Sequence, residues 1–176
     1  MTDSINKTII VAAYSGTGKT HLYRQFPREI IDLTIFPYKY IVDDKDSNIS
    51  KEAIKAAHNY EMKFEWPYNY VDAIEKIIQH NKKKIILVPS CIRVIFALKY
   101  REIPFILAYP EEQARDIYKE RFLKRGNAEP FIEVFIGGWD NFMNTLKHFR
   151  HDNKVILKPE EYLSDIPQVQ EILKVK

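Results

Sequence analysis

One octapeptide near the start of the chain restricts the fold more than any other feature. A short apolar run, residues 8–12, is typical of a buried strand and leads into Ala13-Tyr14-Ser15-Gly16-Thr17-Gly18-Lys19-Thr20. The residues that follow, 21–26, can open a helix. A strand, a glycine loop, Lys-Thr and a helix together present backbone N–H groups and a helix N-terminus to an anion. The octapeptide therefore predicts a phosphate-binding loop.

Two side chains at the end of this loop have predicted roles. Lys19 is expected to reach the β- and γ-phosphates of a nucleotide, and the Thr20 hydroxyl to bind Mg²⁺. The match is to the looser form of the motif, because Ala13 stands where glycine is usual. The alternative is a glycine turn with an exposed lysine, which the flanking strand and helix disfavour.

Composition limits the class of protein. A chain of 176 residues suits one domain, residues 1–176, and a net charge of +3 suits an anionic ligand without demanding nucleic acid. The single cysteine, Cys91, excludes an intrachain disulfide framework and a cysteine-based zinc site. No stretch resembles a signal peptide or a transmembrane helix, so we expect a cytoplasmic protein without a membrane partner.

Apolar segments and helical patterns alternate along the chain. The predicted strands are 8–12, 38–42, 84–90, 103–110 and 154–159. This alternation predicts an α/β fold with one parallel sheet and helices on both faces. Right-handed crossovers would place the first strand, with its phosphate-binding loop, at the centre of the sheet.

Three carboxylates follow the predicted second strand, Tyr38–Val42. They are Asp43, Asp44 and Asp46, and they are either a solvated turn or part of a site. Ligands of open parallel sheets bind outside the carboxyl ends of the strands, which favours a site. The predicted third strand ends in Pro89-Ser90 rather than in the acid that often supports Mg²⁺. The aspartate cluster is therefore the expected substitute.

Two further segments offer binding candidates. The aromatic cluster at 64–70 includes Trp66 and Tyr70, which could stack on a base or pack in a small core. Ser90 can cap the helix after the third strand. Arg93, in the first turn of that helix, is either a surface residue or a bidentate phosphate clamp.

The charged helix at 111–124 carries Arg121, and Arg125 follows one turn later. Their i, i+4 spacing places them on one face, next to a Gly126-Asn127 break. A solvated helix with surface ion pairs is one interpretation. The other is a mobile, arginine-bearing lid over about residues 111–130.

With these features in order, the chain resembles the P-loop nucleoside and nucleotide kinases, of the small nucleoside-monophosphate-kinase-like type found in phages and bacteria. The resemblance covers most of the chain and rests on an ordered set of motifs: 13–20, Val42-Asp43-Asp44-Lys45-Asp46-Ser47, Trp66-Pro67-Tyr68-Asn69-Tyr70-Val71, Ser90 and Arg93, Ala108-Tyr109-Pro110, Arg121-Phe122-Leu123-Lys124-Arg125-Gly126-Asn127, and Trp139-Asp140-Asn141-Phe142. The first motif is specific by itself, and the others count as a set.

This resemblance implies a three-layer P-loop NTPase fold with strand order 2-3-1-4-5 and a helical lid. It implies an acceptor site between strands two and three, over about residues 43–70. ATP and Mg²⁺ would be the cofactors, held by residues 13–20 with Thr20 and either Asp43 or Asp46 on the metal. Lys158-Pro159 would border the adenine.

The reaction expected from this resemblance is transfer of the ATP γ-phosphoryl group to a (deoxy)nucleoside monophosphate. Lys19, Arg121, Arg125 and Asp43 would be the catalytic residues. Those expected to contact the acceptor are Asp44, Asp46, Trp66, Tyr70, Ser90 and Arg93. The departures from the family pattern are Ala13 and the missing strand-three acid.

Two other functions fit the same features. One is a kinase acting on another hydroxyl, such as that of a modified base in DNA, although the mild net charge does not favour a nucleic-acid partner. The other is a nucleotide-binding regulatory module without transfer, which the missing acid favours. A dimer is compatible with the sequence, which does not set the oligomeric state.

Overall fold

A parallel sheet of five strands forms the centre of the described chain. The computed structural model describes residues 8–41, 60–80 and 83–174. The strands are β1 (Ile9–Ala13), β2 (Ile30–Asp32), β3 (Ile85–Pro89), β4 (Ile106–Pro110) and β5 (Lys154–Leu157). Their order is β2-β3-β1-β4-β5, and all four pairings are parallel. Both the expected strand order and the central position of the first strand are confirmed.

The carboxyl ends of the three central strands are aligned. Ala13 of β1 is in register with Pro89 of β3 and with Ala108 of β4. Just beyond the strands, Ser90 N donates to Ala13 O at 3.1 Å, and Tyr14 N donates to Ala108 O at 3.0 Å. The glycine loop therefore leaves the middle of the sheet from a fixed point, supported on both sides.

Helices cover both faces of this sheet. They are α1 (Lys19–Gln25), α2 (Phe36–Lys39), α3 (Tyr68–His80), α4 (Ile92–Tyr100), α5 (Arg115–Lys124), α6 (Glu129–Ile132), α7 (Trp139–His148) and α8 (Pro167–Leu173). A π-helical segment, Glu133–Gly137, joins α6 to α7. Short 3₁₀ turns span 112–114 and 163–165.

Alternate residues of β1 point into two separate cores. Ile10 and Ala12 belong to the larger core, which packs the sheet against α3, α4, α5 and α7. Val11 and Ala13 belong to the smaller core, beneath α1 and α8. Because a buried parallel strand needs apolar residues on both faces, the sequence of β1 is a continuous apolar run. The result is the predicted three-layer α/β fold.

The second strand was predicted in the wrong place. Residues 38–39 lie in α2, and Tyr40 forms only an isolated antiparallel bridge with Met62. The aromatic residues that suggested a strand pack as rings instead: Tyr38 lies edge-on to Tyr70 at 5.2 Å between centroids. The true strand is the three-residue β2. Asp43, Asp44 and Asp46 therefore do not follow strand two, and they lie outside the described residues.

The predicted cap of the helix after β3 is also wrong. The helix α4 begins at Ile92, with Cys91 rather than Ser90 in the capping position and no capping hydrogen bond from its side chain. Ser90 is buried beside the start of the loop instead.

Candidate active site

The glycine loop has the backbone conformation that its sequence predicts. Gly16 has φ 82° and Gly18 has φ 98°, in the left-handed region that favours glycine. Packing adds a second requirement at Gly16, because a Cβ there would lie 2.8 Å from Cε1 of Phe122 on α5. Gly18 stands at the start of α1, so the turn delivers Lys19 and Thr20 into the first turn of that helix. The loop is thus shaped for phosphate and closely covered by α5.

Lys19 is held inside the loop by backbone oxygens. Its Nζ donates to the carbonyls of Ala13 and Tyr14, each at 2.9 Å. Burial lowers the pKa of the Lys19 amine from 10.5 to about 8, against the opposing effect of the Asp32 carboxylate. The charge of Arg125 lowers that pKa further. A phosphate would replace the two carbonyls as partner of this amine and would favour its charged form.

Asp32, the last residue of β2, completes the other side of this site. The Thr20 hydroxyl donates to Oδ2 of Asp32 at 3.0 Å. Sequence reasoning missed Asp32 because a three-residue strand carries almost no periodic signal. The signal available was an acid directly after two isoleucines, Ile30-Ile31. Asp32 supplies the carboxylate that β3 lacks.

These two oxygens fit a magnesium ion. Hydroxyl and carboxylate oxygens are hard ligands, and Mg²⁺ is often bound by one or two protein groups together with the phosphates of its substrate. Within residues 8–41, 60–80 and 83–174, no group of three or more acidic, histidine or cysteine side chains could hold a metal alone. Thr20 and Asp32 are therefore the protein groups that would hold Mg²⁺ beside ATP.

Arg121 is anchored on the loop. Its guanidinium donates to Gly16 O at 3.3 Å and to Pro159 O, which follows β5. It also lies between two rings, 4.6 Å from the centroid of Tyr118 and 4.1 Å from that of Tyr162. Arg121 thus fastens α5 to the loop and to the segment after β5.

Arg125, one turn further along, has a different environment. It is exposed, and its guanidinium makes no hydrogen bond or ion pair with any other described residue. Its charge nevertheless acts on the Lys19 amine. The two arginines that were alike in sequence therefore differ: the Arg121 guanidinium is held by hydrogen bonds and between two rings, whereas the Arg125 guanidinium is exposed.

The segment after β5 borders the loop, where the sequence placed an adenine contact. Leu163 N donates to Thr17 O at 3.0 Å. A Cβ on Gly18 would lie 3.2 Å from Cδ1 of Tyr162, so that ring lies directly against the loop. Lys158 is exposed beside it. Sequence reasoning missed Tyr162, which no motif marked.

Some of the residues predicted to contact the acceptor are buried in the core, and others are exposed. Trp66 and Tyr70 are 5% and 0% exposed and belong to the larger core, which supports the packing interpretation of the aromatic cluster. The Tyr70 hydroxyl donates to Leu33 O at 2.6 Å, next to Asp32. Arg93 is exposed in the first turn of α4, the helix that follows β3, with Nη1 3.4 Å from Sδ of Met62. Arg93 therefore remains available to an acceptor.

Comparison with known proteins extends this description. No family model matches the chain, and no curated protein matches it. Among solved structures, a gluconokinase from Sinorhizobium meliloti 1021 superposes with a TM-score of 0.50 at 18% identity, covering 96% of this chain and 90% of that one. At this identity the likeness concerns the fold. Together with the sheet order, it places the chain in the class of P-loop kinase-like folds.

None of the helices in residues 8–41, 60–80 and 83–174 is long and apolar enough to span a membrane.

Proposed function

We infer that this protein is an ATP-dependent phosphotransferase that moves the γ-phosphoryl group to a small acceptor, of which a (deoxy)nucleoside monophosphate is the first candidate. The observation that carries the proposal is the convergence of Lys19, Thr20 and Asp32 at one loop. These three residues supply what phosphoryl transfer needs most, namely a cation on the phosphates and oxygens for Mg²⁺. The likeness to a kinase fold supports this function.

Each residue then has a role in the reaction. The bond between the γ-phosphorus and the bridging oxygen to the β-phosphate breaks, and a bond from the acceptor oxygen to the γ-phosphorus forms. Lys19 neutralises charge on the β- and γ-phosphates. Arg125 approaches the transferring group, because it is exposed and its charge already acts near Lys19. Arg93 binds the phosphate of the acceptor, and Mg²⁺ bound by Thr20 and Asp32 would neutralise developing charge on the phosphates.

A second candidate, a kinase acting on a carbon-bound hydroxyl, is favoured by one observation. A phosphate acceptor arrives ionised, whereas a hydroxyl acceptor must lose a proton, which a carboxylate can accept. Asp32 lies at the end of β2, on the acceptor side of the sheet, and could perform that step. The structural neighbour is named a gluconokinase, which also favours a hydroxyl acceptor. A modified base in DNA would be another such acceptor.

An acceptor screen with γ-labelled ATP separates these candidates. The panel contains nucleoside monophosphates, nucleosides, gluconate and short DNAs that carry a hydroxylated base. Label transferred to a monophosphate supports the first candidate, and label on gluconate, a nucleoside or DNA supports the second. Label on none of them, with ATP still bound, would contradict transfer to these acceptors and favour a nucleotide-binding regulatory module.

A further inference from the structure

The side chain of Tyr14 connects the phosphate-binding loop to the π-helical segment Glu133–Gly137. Tyr14 is 2% exposed, and its hydroxyl donates to Phe135 O at 2.8 Å. Its ring lies edge-on to the rings of Phe135 and Trp139, with 5.6 Å between centroids in both cases. Tyr14 is therefore a loop residue whose side chain packs in the larger core against the π-helical segment and α7.

The main chain of the same residue faces the phosphate side. The Tyr14 carbonyl accepts hydrogen bonds from Lys19 Nζ at 2.9 Å and from Thr17 Oγ1 at 2.8 Å. Lys19 can reach a phosphate only by giving up or lengthening its bond to that carbonyl. Binding of a phosphate at the loop must therefore alter the contacts of Tyr14.

The π-helical segment is placed to respond to a change in the contacts of Tyr14. Its carbonyls at Phe135 and Ile136 accept hydrogen bonds from outside the segment, from the Tyr14 hydroxyl and from Nη2 of Arg115, the latter at 3.1 Å. Just after the segment, a Cβ on Gly138 would lie 2.6 Å from Val134 O, so this tight backbone needs glycine. A π-helical turn is rare and short, and it is frequently found at functional sites.

The segment also lies in the chain path that leads from Arg125 back to the core. It joins α6, which follows the arginine-bearing helix α5, to the buried α7. The body of α5 is fixed, because Tyr118 and Phe122 are fully buried and Arg121 is bonded to the loop. A change in the register of the segment would therefore act on α6 and on the exposed end of α5, where Arg125 lies.

We propose that Tyr14 is a positioning residue that couples occupancy of the phosphate-binding loop to the π-helical segment and, through α6, to the position of Arg125. The kinetic part of this proposal rests on the proposed phosphotransferase function, whereas the coupling itself requires only that the loop binds ATP. A purely structural hydroxyl would stabilise the core equally with and without ATP, and its loss would not change the response of residues 133–138 to ATP.

Hydrogen exchange measures the coupling directly. Backbone amides of residues 133–138 are followed with and without MgATP in the full-length protein and in the Tyr14→Phe variant, which keeps the ring and loses the hydroxyl. In the wild type, MgATP slows exchange in this segment. In Tyr14→Phe the slowing is lost, although the variant still binds MgATP. The proposal is overturned if the variant retains the slowing, or if the wild type shows none.

A matched control removes a hydroxyl from the same core. Tyr109 on β4 is 4% exposed in the larger core, and its hydroxyl makes no hydrogen bond with another described residue. Tyr109→Phe must keep the ATP-dependent slowing. If Tyr109→Phe loses it as Tyr14→Phe does, the effect is general loosening of the core and the proposal fails.

A second variant keeps the proposal testable if Tyr14→Phe does not fold. Arg115→Ala removes the other donor to the segment from an exposed position. It should speed exchange of residues 133–138 in the absence of nucleotide and preserve the slowing by MgATP. Disappearance of the slowing in Arg115→Ala would show that the coupling runs through α5 instead of Tyr14.

The kinetic readout distinguishes this proposal from the proposed function. In Tyr14→Phe, kcat should fall about three- to tenfold, the effect of one hydrogen bond, while KM for ATP stays within about twofold. An unchanged kcat, or a rise in KM alone, would contradict the coupling. If the wild type transfers phosphate to no acceptor, the proposed function fails, and the exchange comparison still decides the role of Tyr14.

Discussion

Because burial lowers the pKa of Lys19, we expect the affinity for ATP to depend on pH in a range where a lysine of ordinary pKa would stay fully charged. Burial lowers this pKa to about 8, whereas the charged phosphates of bound ATP favour the protonated amine. Above about pH 8, therefore, binding must recruit a proton that the protein has already released. Affinity should fall as pH rises, approaching tenfold for each pH unit.

The size of the effect follows from the protonated fraction. With a pKa of about 8, roughly 90% of the Lys19 amine is charged at about pH 7 and roughly 3% at about pH 9.5. The Kd for MgATP should therefore rise about 30-fold between these values. Tyrosines near the loop do not contribute to this change in Kd, because they stay protonated over the same pH range: burial raises the pKa of Tyr14 and raises that of Tyr118 to about 12.

Equilibrium titration with a fluorescent ATP analogue, or calorimetry, measures this dependence across the range. Lys19→Arg is the matched control, because arginine stays charged throughout and its curve should be flat. A wild-type Kd that changes less than about threefold over this pH range would show that burial does not lower the pKa of the Lys19 amine to about 8. An equal rise in the Lys19→Arg variant would assign the effect to another group.

Two further predictions concern the residues around Lys19. Asp32→Asn should lower kcat at least tenfold and weaken the dependence on Mg²⁺, because the carboxylate charge is lost. The melting temperature should change little, since an amide oxygen at this position can still accept a hydrogen bond from the Thr20 hydroxyl. Kinetics across a Mg²⁺ series check this, and unchanged kinetics would remove Asp32 from the site. Arg125→Ala should lower kcat about 10³-fold without destabilising the protein, whereas Arg121→Ala should lower the melting temperature because the hydrogen bonds that hold α5 on the loop are lost. Lys124 is exposed and paired only with Glu120 among described residues, so Lys124→Ala should leave kcat and the melting temperature nearly unchanged. A Lys124→Ala variant as damaging as Arg125→Ala would indicate that the helix contributes only its bulk positive charge.

Local sequence was sufficient for the features that depend on neighbours in the chain. The phosphate-binding loop could be predicted because its glycines, Lys19 and Thr20 act together within eight residues. β1, β3 and β4 could be predicted because burial on both faces leaves continuous apolar runs. Alternation of strands and helices then restricted the topology to a parallel sheet.

The features that sequence reasoning missed depend on contacts between distant segments. β2 is too short for periodicity to reveal it, so Asp32 remained hidden while the aromatic run near Tyr38 resembled a strand. Arg121 and Arg125 share one helical face, and what separates them is a ring, Tyr162, that lies far along the chain. Trp66 could equally have stacked on a base or packed in a core, and only its three-dimensional neighbours distinguish the two.

The central claim is that this loop transfers phosphate rather than only binding it. The most direct measurement is release of ADP from ATP with and without an acceptor from the screen, in the wild type and in Lys19→Ala. We expect ADP release that depends on the acceptor in the wild type, and a folded Lys19→Ala variant that has lost it. ADP release that is unaffected by every acceptor, or that persists in folded Lys19→Ala, would contradict this claim.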